Sequence, residues 1–189
     1  MKPQTFPLSR KGIADAKKFL LDYKKNVLQQ KLRVFVERLA QKGVEVAKAN
    51  ITTLEAIMTG ELQNSIHEES GVQTKDTAIF FIVADSEHAA FVEFGTGQRG
   101  LEEPYPYPFP EGVQWDYNIG DKIHQAKEDI YVKDYSDPYI KKGDYFWVYI
   151  GKDGKLHISK GMPARPFMYE TAMDLYTKVV AIVTDVFSS

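Results

Sequence analysis

An α+β fold is predicted for this chain of 189 residues by three features of its sequence. Apolar residues recur at three- and four-residue steps across residues 12–50, which is the spacing of one helix face. Residues 77–84 and 145–150 are rich in β-branched and aromatic side chains, as strands are. A second helical pattern follows Pro166. We therefore expect N-terminal amphipathic helices and a C-terminal helix packed on a small antiparallel sheet. The whole chain, 1–189, is interpreted as a single domain with a long loop and hairpin insertion on its surface at about 98–145.

The bulk composition is that of a soluble globular protein, with 43% hydrophobic and 26% charged residues. The absence of cysteine excludes disulfides, thiolate catalysis and cysteine metal sites, and it fits a reducing, intracellular origin. No apolar run approaches the length of a membrane span, and the N-terminus has no signal-peptide pattern. We therefore expect no membrane partner.

The charges are unevenly distributed along the chain. Residues 1–50 hold twelve Lys and Arg against four Asp and Glu, whereas residues 51–189 hold twelve against twenty-two. Such a basic segment on an acidic body fits three situations: plain solvated helix faces, contact with nucleic acid, or a charged seam between identical subunits. The sequence leaves all three open.

The first elements follow from local patterns. Residues 1–10 form an irregular lead-in in which Ser9 is a suitable N-cap, and the helical pattern of 12–50 is long enough to predict a break near 29–31 or at Gly43. Residues 51–60 are a connector. Residues 61–69 and 77–84 are predicted strands, and 71–76 is a turn of hairpin size. Residues 85–88 lead into a stretch at 89–97 that forms either a third strand or one short helix.

The insertion and the C-terminal part follow. Four prolines alternate with aromatic residues over 104–110, which predicts extended, polyproline-like backbone, and 119–131 is a candidate short helix. Residues 145–150 and 156–158 are predicted to form a hairpin around Asp153-Gly154. The last helix begins near Pro166, and its predicted apolar side consists of Phe167, Ala172, Leu175, Tyr176, Val179, Val180 and Val183.

We expect the stretch 89–97 to pack in the interior, with the rest of the chain supporting it. It places Glu93 among apolar residues and ends in a Gly-Thr-Gly bend, where Gly95 and Gly97 permit a sharp turn. Our structural hypothesis is that Arg165 pairs with Glu93. Replacing either residue alone would then cost about 3–5 kcal/mol if the pair is buried and under about 1 kcal/mol if it is exposed.

Patterns for enzymatic chemistry are weak. Residues 95–100 match the dinucleotide-binding fingerprint in letters, but acids and prolines follow where its helix should begin. The four histidines have no metal-ligand spacing, paired acids are adjacent in sequence and would point to opposite faces of a strand, and no Gly-x-Ser-x-Gly elbow is present. We therefore expect a protein that is not an enzyme, with no catalytic, cofactor-binding or metal-binding residues and no cofactor.

Four pieces of sequence together resemble a known family. They are Thr-Gly-Glu-Leu-Gln-Asn-Ser-Ile at 59–66, His-Ala-Ala-Phe-Val-Glu-Phe-Gly-Thr-Gly at 88–97, Tyr-Phe-Trp-Val-Tyr at 145–149 and Met-Pro-Ala-Arg-Pro-Phe-Met at 162–168. In this order, after a basic amphipathic helix, they are similar to the minor tail-component family of bacteriophages with long non-contractile tails. Those proteins complete the tail and join it to the head at the neck. The resemblance covers most of residues 12–185, and the insertion at 98–145 departs from the shorter members.

The resemblance implies a non-enzymatic virion structural protein of a phage or prophage, found in the neck of the virion and in the host cytoplasm during assembly. It implies a homo-oligomeric ring of six copies that contacts tail-tube, tail-terminator and head-connector proteins. DNA would pass through the ring without specific binding, past an acidic lining that repels it. A head-side connector, a tail terminator, or a DNA-binding accessory protein that uses the basic N-terminal helices are the alternatives. The residues expected to determine fold and assembly are Phe91, Glu93, Phe94, Gly95, Arg165 and Phe167.

Overall fold

The computed structural model describes residues 4–56, 60–74, 77–117, 123–131, 139–150 and 154–188. The chain forms two compact units. The first unit consists of Met1–Asn50, Gln63–Ala84 and Glu170–Ser189, and the second consists of Ile51–Leu62 and Asp85–Tyr169. The predicted insertion at 98–145 therefore lies within the second unit, together with the residues on both sides of it.

The first unit begins with a long helical region. Helix α1 spans Arg10–Asp22, a π-helical segment spans Tyr23–Leu28, and helix α2 spans Gln29–Thr53. Ser9 is the N-cap, as predicted, because its Oγ accepts a hydrogen bond from the backbone N–H of Gly12 at 3.1 Å. The irregularity in the long pattern is the π-helical segment, which ends just before the predicted break at 29–31.

Gly43 lies inside α2 and does not break it, contrary to the second predicted position for a break. The reason is packing, since a Cβ on Gly43 would collide with the side chains of Ile82 and Leu175. Glycine here lets neighbouring elements approach α2 closely. The helix thus contacts both the hairpin strand that carries Ile82 and the C-terminal helix.

The C-terminal helix α6 spans Phe167–Ser188, and its part from Glu170 onward belongs to the first unit. In that part the buried side consists of Thr171, Leu175 and Val186. The predicted apolar side was wrong at three positions, because Ala172 is exposed and the side chains of Tyr176 and Val180 are 79% and 74% exposed. They lie on the outer face with Met173, so α6 has apolar residues on two faces, of which only one packs within the unit.

The hairpin of the first unit confirms the predicted strand pair but not the predicted turn, because the first strand runs through residues 71–73 and residues 75–76 lie outside the described part of the chain. Strand β1 spans Ile66–Gln73 and pairs antiparallel with β2, Ala78–Ala84. The start of the predicted first strand is instead a short helix α3, Glu61–Ser65, whose Leu62 is buried. Because residues 61–65 are helical, the side chain of Leu62 is buried before β1 begins at Ile66.

Between residues 85 and 166, the described part of the second unit forms two short helices and five strands. Helices α4 and α5 span Ala89–Phe94 and Gly97–Glu102. The strands are β3 Ile123–Gln125, β4 Ile130–Tyr131, β5 Tyr139–Ile140, β6 Tyr145–Ile150 and β7 Leu156–Ser159. They form an antiparallel sheet in the order β3-β6-β7 and a separate ribbon of β4 and β5. The predicted hairpin of 145–158 is confirmed, although residues 151–153 of its turn lie outside the described part of the chain.

The predicted insertion differs from its expected character in two respects. The described part of 119–131 forms β3 and β4 rather than a helix. In addition, Ala126 and Ile140 are buried and pack with Phe146 of β6 in one apolar cluster. Residues 98–145 are therefore not only a surface feature, since they supply part of the core of the second unit.

The predicted fold class is confirmed as α+β, with N-terminal helices and a C-terminal helix packed with small antiparallel sheets. The described residues form three small sheets where the sequence suggested one. None of the helices in the described residues is both long and apolar enough to cross a lipid bilayer.

Candidate functional site around Glu93

Helix α4 carries three of the six residues that the sequence singled out. Its apolar composition is explained by burial, since Val92 is 5% exposed. Glu93 is 6% exposed, which is rare for a carboxylate unless it has partners. The prediction of a buried carboxylate at Glu93 is confirmed, and its partners decide what it does.

The partner of Glu93 is the N-terminus of helix α6. Its Oε2 accepts a hydrogen bond from the backbone N–H of Met168 at 2.8 Å, and its Oε1 accepts one from that of Tyr169 at 3.1 Å. The first N–H groups of a helix have no partner inside the helix, and the helix dipole favours a negative charge beside them. Glu93 thus fulfils the role of an N-capping side chain across separations of 75 and 76 residues.

The expected ion pair between Glu93 and Arg165 is therefore corrected. Arg165 does lie beside α4, but through its backbone, whose N–H donates to the carbonyl oxygen of Val92 at 2.8 Å. Within the described residues, no ion pair joins its guanidinium to Glu93. Backbone N–H groups at the positive end of α6 stabilise the charge of Glu93 instead, so the buried carboxylate does not require a cation beside it.

Phe167, the first residue of α6, is completely buried. Its backbone N–H donates to the carbonyl oxygen of Arg165 at 2.7 Å, which tightens the turn around Pro166 before the helix begins. Full burial of such a side chain is worth roughly 1.5–3 kcal/mol. The phenyl ring and the carboxylate of Glu93 therefore fix the start of α6 by an apolar and a polar contact together.

The predicted Gly-Thr-Gly bend is confirmed, and its two glycines have different neighbours. Gly95 has φ +81°, and a Cβ on it would lie 2.7 Å from the backbone nitrogen of Ala164. Gly97 has φ +63°, and a Cβ there would collide with the indole ring of Trp147. Between them, Thr96 forms a two-hydrogen-bond bridge with Met162, at 2.9 and 3.1 Å. The bend thus brings 162–167 and the sheet against α4.

An aromatic cluster covers the outer side of α4. The ring of Phe94 lies 5.0 Å from that of Tyr105, 5.5 Å from Phe109 and 5.0 Å from Trp115. Phe91 also contacts the Trp115 ring, at 5.9 Å. The indole N–H of Trp115 donates to the carbonyl oxygen of Gly95 at 2.8 Å. The proline–aromatic stretch is therefore packed on α4 through the rings of Tyr105 and Phe109.

Tyr105 links this cluster to the carboxylate. Its side chain is 7% exposed, and its hydroxyl is hydrogen-bonded to Glu93. Burial, together with the negative charge of Glu93, raises the pKa of Tyr105 to about 12. The phenol therefore stays protonated and acts as a third donor to the carboxylate.

The patterns that suggested other chemistry are accounted for by the structure. The fingerprint at 95–100 is preceded by helix α4 rather than a strand, so the geometry that a dinucleotide requires is not formed there. Among the described residues, no three His, Cys, Asp or Glu side chains are grouped closely enough to hold a metal ion. His67 contacts Ser65 and Glu69, and His124 lies 5.5 Å from the Phe146 ring.

We define the Glu93 clamp as Glu93 with its three donors, from Tyr105, Met168 and Tyr169. Of the six residues expected to determine fold and assembly, Glu93 is the centre of the clamp, Phe94 contacts the ring of Tyr105, and Phe167 immediately precedes Met168. Phe91, Gly95 and Arg165 contact other residues on or near α4. Sequence reasoning missed Tyr105, Trp115 and Tyr169. The run of aromatic residues over 104–110 was a signal for Tyr105 alone, because the other two lie outside it. Because its carboxylate is buried and occupied, the clamp is suited to fixing chain geometry rather than to proton transfer.

Comparison of the chain with protein-family models gives no match, and neither the curated proteins nor the solved structures give one. Support for a function therefore comes from the residues of this chain and their geometry.

Proposed function

We propose that this protein is a structural subunit of the head–tail joint of a tailed phage or prophage, the tail-completion component of the neck. The main support for the proposal is that three of the four sequence pieces that resemble the tail-completion family, the second, third and fourth, contact one another in the fold. Glu93 of the second piece accepts hydrogen bonds at the end of the fourth piece, from Met168 and from the adjoining Tyr169. Trp147 of the third piece packs against Gly97 of the second. Pieces that act together in one folded core are stronger support than three unrelated matches.

The exposed apolar side chains of the chain also support an assembled protein. Large apolar residues with at least 50% exposure occur in both units. Those on α1, on the β1–β2 hairpin and on α6 are Ile13, Leu20, Leu21, Val72, Phe81, Met173, Tyr176 and Val180; the others among the described residues are Leu8, Tyr131, Ile150 and Leu156. Sets of exposed apolar side chains on regular elements are typical of surfaces that pair with another protein. Copies of the chain itself and the neighbouring tail and connector proteins are the proposed partners.

The distribution of charge is compatible with a ring around DNA. The first unit has 14 Lys and Arg against 10 Asp and Glu, a formal net charge of +4, and the second has 10 against 16, a net charge of -6. An acidic unit that faces the channel would let DNA pass without retention, since like charges repel. The basic unit would then contact acidic surfaces of adjacent subunits, in a ring of six copies.

The test of this proposal is electron microscopy of lysates from the parent phage or prophage with this gene disrupted. We expect DNA-filled heads beside separate tails of normal length, and joined particles again when the wild-type gene is supplied in trans. Tails of uncontrolled length would assign the protein to tail termination instead. Empty or leaking heads would assign it to the head-side connector, and intact infectious particles would refute a role in the joint.

A second candidate function is that of a DNA-binding accessory protein. The observation in its favour is that Lys17, Lys18, Lys24 and Lys25 are all exposed on α1 and the π-helical segment. Salt-dependent retention of duplex DNA, lost when these four lysines are changed to Gln, would support it. The matched control changes four exposed lysines of the second unit, Lys127, Lys141, Lys142 and Lys155, to Gln. Equal loss in both variants would indicate only non-specific attraction by net charge.

A further inference from the structure

The first unit contains a cleft of about 630 Å³ beside the π-helical segment. It is lined by Lys25 and Gln29 from the helical region, by Leu32, Arg33 and Val36 of α2, and by Ala78 at the start of β2. This volume is within the range of clefts that hold a ligand or a few residues of another chain. Lys25 lies on the π-helical segment, a local irregularity that is frequent at functional sites.

The cleft combines two cations with an apolar wall. The Nε of Arg33 donates to Oε1 of Gln73 at 3.0 Å, which orients the guanidinium. Within the described part of the chain, neither the terminal amino groups of Arg33 nor Nζ of Lys25 has a hydrogen-bond partner. Leu32 is 45% exposed, so an occupant gains apolar contact as well. The cleft is therefore complementary to an acidic segment that also carries an apolar side chain.

A segment with that chemistry lies in the second unit. Residues 101–104 are Leu-Glu-Glu-Pro at the end of α5, and all four are exposed. Their backbone is held in place, because the N–H of Glu103 donates to Arg99 at 2.9 Å and its carbonyl oxygen accepts from Ala164 at 3.2 Å. Glu102 is oriented by a hydrogen bond from Gln98 at 3.1 Å. Such order reduces the entropy lost on binding.

We propose that the cleft at Lys25 and Arg33 binds residues 101–104 of a second copy of this chain. Glu102 and Glu103 face the two cations, and Leu101 lies against Leu32 and Val36. This proposal rests on the proposed ring assembly and names the contact that builds it. The contact joins two different surfaces, one on each copy, and repetition of such a head-to-tail contact generates a ring when the rotation closes.

Charge complementarity favours a protein segment over nucleic acid as the occupant. The cleft belongs to the unit of net charge +4 and the segment to the unit of net charge -6. A phosphate backbone would satisfy the cations, but it would leave the apolar wall of Leu32, Val36 and Ala78 without a matching group. The Leu-Glu-Glu-Pro segment supplies both kinds of contact.

The first test maps the contact by zero-length cross-linking. Unlabelled and ¹⁵N-labelled full-length protein are mixed and treated with a carbodiimide, which joins a lysine amine to a carboxylate only at ion-pair distance. We expect a cross-link between Lys25 and Glu102 or Glu103 in which the two peptides carry different isotope labels. A cross-link found only within single copies, or none at these residues, would overturn the proposal.

The second test exchanges the charges. Lys25→Glu and Glu103→Lys should each weaken self-association by about tenfold in sedimentation velocity, and the double variant should recover most of it. The matched controls are Lys17→Glu and Glu111→Lys, exposed residues whose replacement changes net charge equally and should leave self-association unchanged. A double variant as weak as the single ones would refute the contact.

Two further outcomes separate this proposal from its rivals. Loss of duplex DNA retention in Lys25→Glu that persists in the double variant would assign the cleft to nucleic acid and overturn the inference. Separated heads and tails after gene disruption, together with unchanged self-association in every charge variant, would leave the proposed function intact and remove only this contact.

Discussion

At the scale of single residues, Glu93 has a different partner from the one expected. The carboxylate was predicted to meet a guanidinium, yet it meets backbone N–H groups at the start of α6. Both solutions satisfy a buried charge, but the second requires no second charge to be removed from water. The side chain of Glu93 consequently determines where α6 begins, rather than adding an ion pair to a helix that is already in place.

Replacement of Glu93 by Ala is expected to lower the free energy of unfolding by about 2–4 kcal/mol, because two backbone donors and a buried phenol lose their acceptor. Glu93→Gln, which keeps one acceptor oxygen, should lose less. Arg165→Ala should cost under about 1 kcal/mol, since its guanidinium forms no ion pair with Glu93. Urea unfolding followed by tryptophan fluorescence measures all three. A loss for Arg165→Ala as large as that for Glu93→Ala would restore the ion-pair hypothesis.

The glycines of the chain provide a second test at this scale. Gly95→Ala is expected to cost about 3 kcal/mol or more, because φ is +81° and the new Cβ would lie 2.7 Å from the backbone nitrogen of Ala164. Gly112 has nearly the same φ, +80°, but a Cβ added there would have no neighbouring atom within 4 Å, so Gly112→Ala should cost only about 1–2 kcal/mol. Both variants place Ala at an unfavourable φ, but only Gly95→Ala adds a collision. The difference between their losses of stability in thermal unfolding therefore measures the cost of the collision. Equal losses would show that the approach of Ala164 contributes nothing.

At the scale of elements, the proline–aromatic stretch changes role between sequence and structure. The rings of this stretch lie together, since the centroid of Tyr105 is 5.7 Å from that of Tyr107 and 5.2 Å from that of Phe109. Tyr107 stacks on the ring of Tyr169 with centroids 3.7 Å apart, while Tyr105 and Phe109 pack on Phe94. The stretch therefore holds α4 and the first turn of α6 together from the outside, with Glu93 between them.

This packing predicts a specific loss of stability at alkaline pH. The pKa of Tyr105 is raised from 10.0 to about 12 in the folded protein, so the folded state holds the phenolic proton more tightly than the unfolded state. The resulting stabilisation, roughly 2–3 kcal/mol, is fully present below about pH 10 and is lost as the pH rises toward 12. Urea midpoints measured between pH 9 and pH 11.5 should fall more steeply for the wild type than for Tyr105→Phe. Parallel curves would show that Tyr105 ionises as freely in the folded protein as in the unfolded chain.

At the scale of the whole molecule, the two units carry opposite net charge, and each exposes apolar or charged groups suited to contact with another protein. The first unit, at +4, holds the cleft at Lys25 and Arg33, and the second, at -6, holds the Leu-Glu-Glu-Pro segment. Opposite charges on the two sides of a head-to-tail contact speed encounter and oppose wrong pairings. Such a chain is suited to assembly into a ring from identical copies.

Self-association is accordingly expected to weaken as salt increases. Raising NaCl from about 0.1 M to 1 M shortens the screening length from roughly 10 Å to 3 Å, which removes most attraction between exposed charges. Sedimentation velocity at the two salt concentrations should show the oligomer dissociating. Association that strengthens with salt would point instead to the apolar face of α6, at Met173, Tyr176 and Val180, as the main contact.

The sequence by itself determined the fold class, the Ser9 cap, both hairpins, the start of α6 and the bend at Gly95, because each depends on residues close together in the chain. It also identified Glu93 as buried, since a carboxylate in the middle of an apolar stretch is carried into the interior with its neighbours. Only the tertiary structure decided which partner Glu93 has, which face of α6 is buried, and that residues 98–145 supply core side chains. The partner of Glu93 depends on a contact across 75 positions, and the buried face of α6 depends on competition between two apolar faces. The core role of 98–145 depends on the packing of Ala126 and Ile140 with Phe146, which no periodic pattern in the sequence marks.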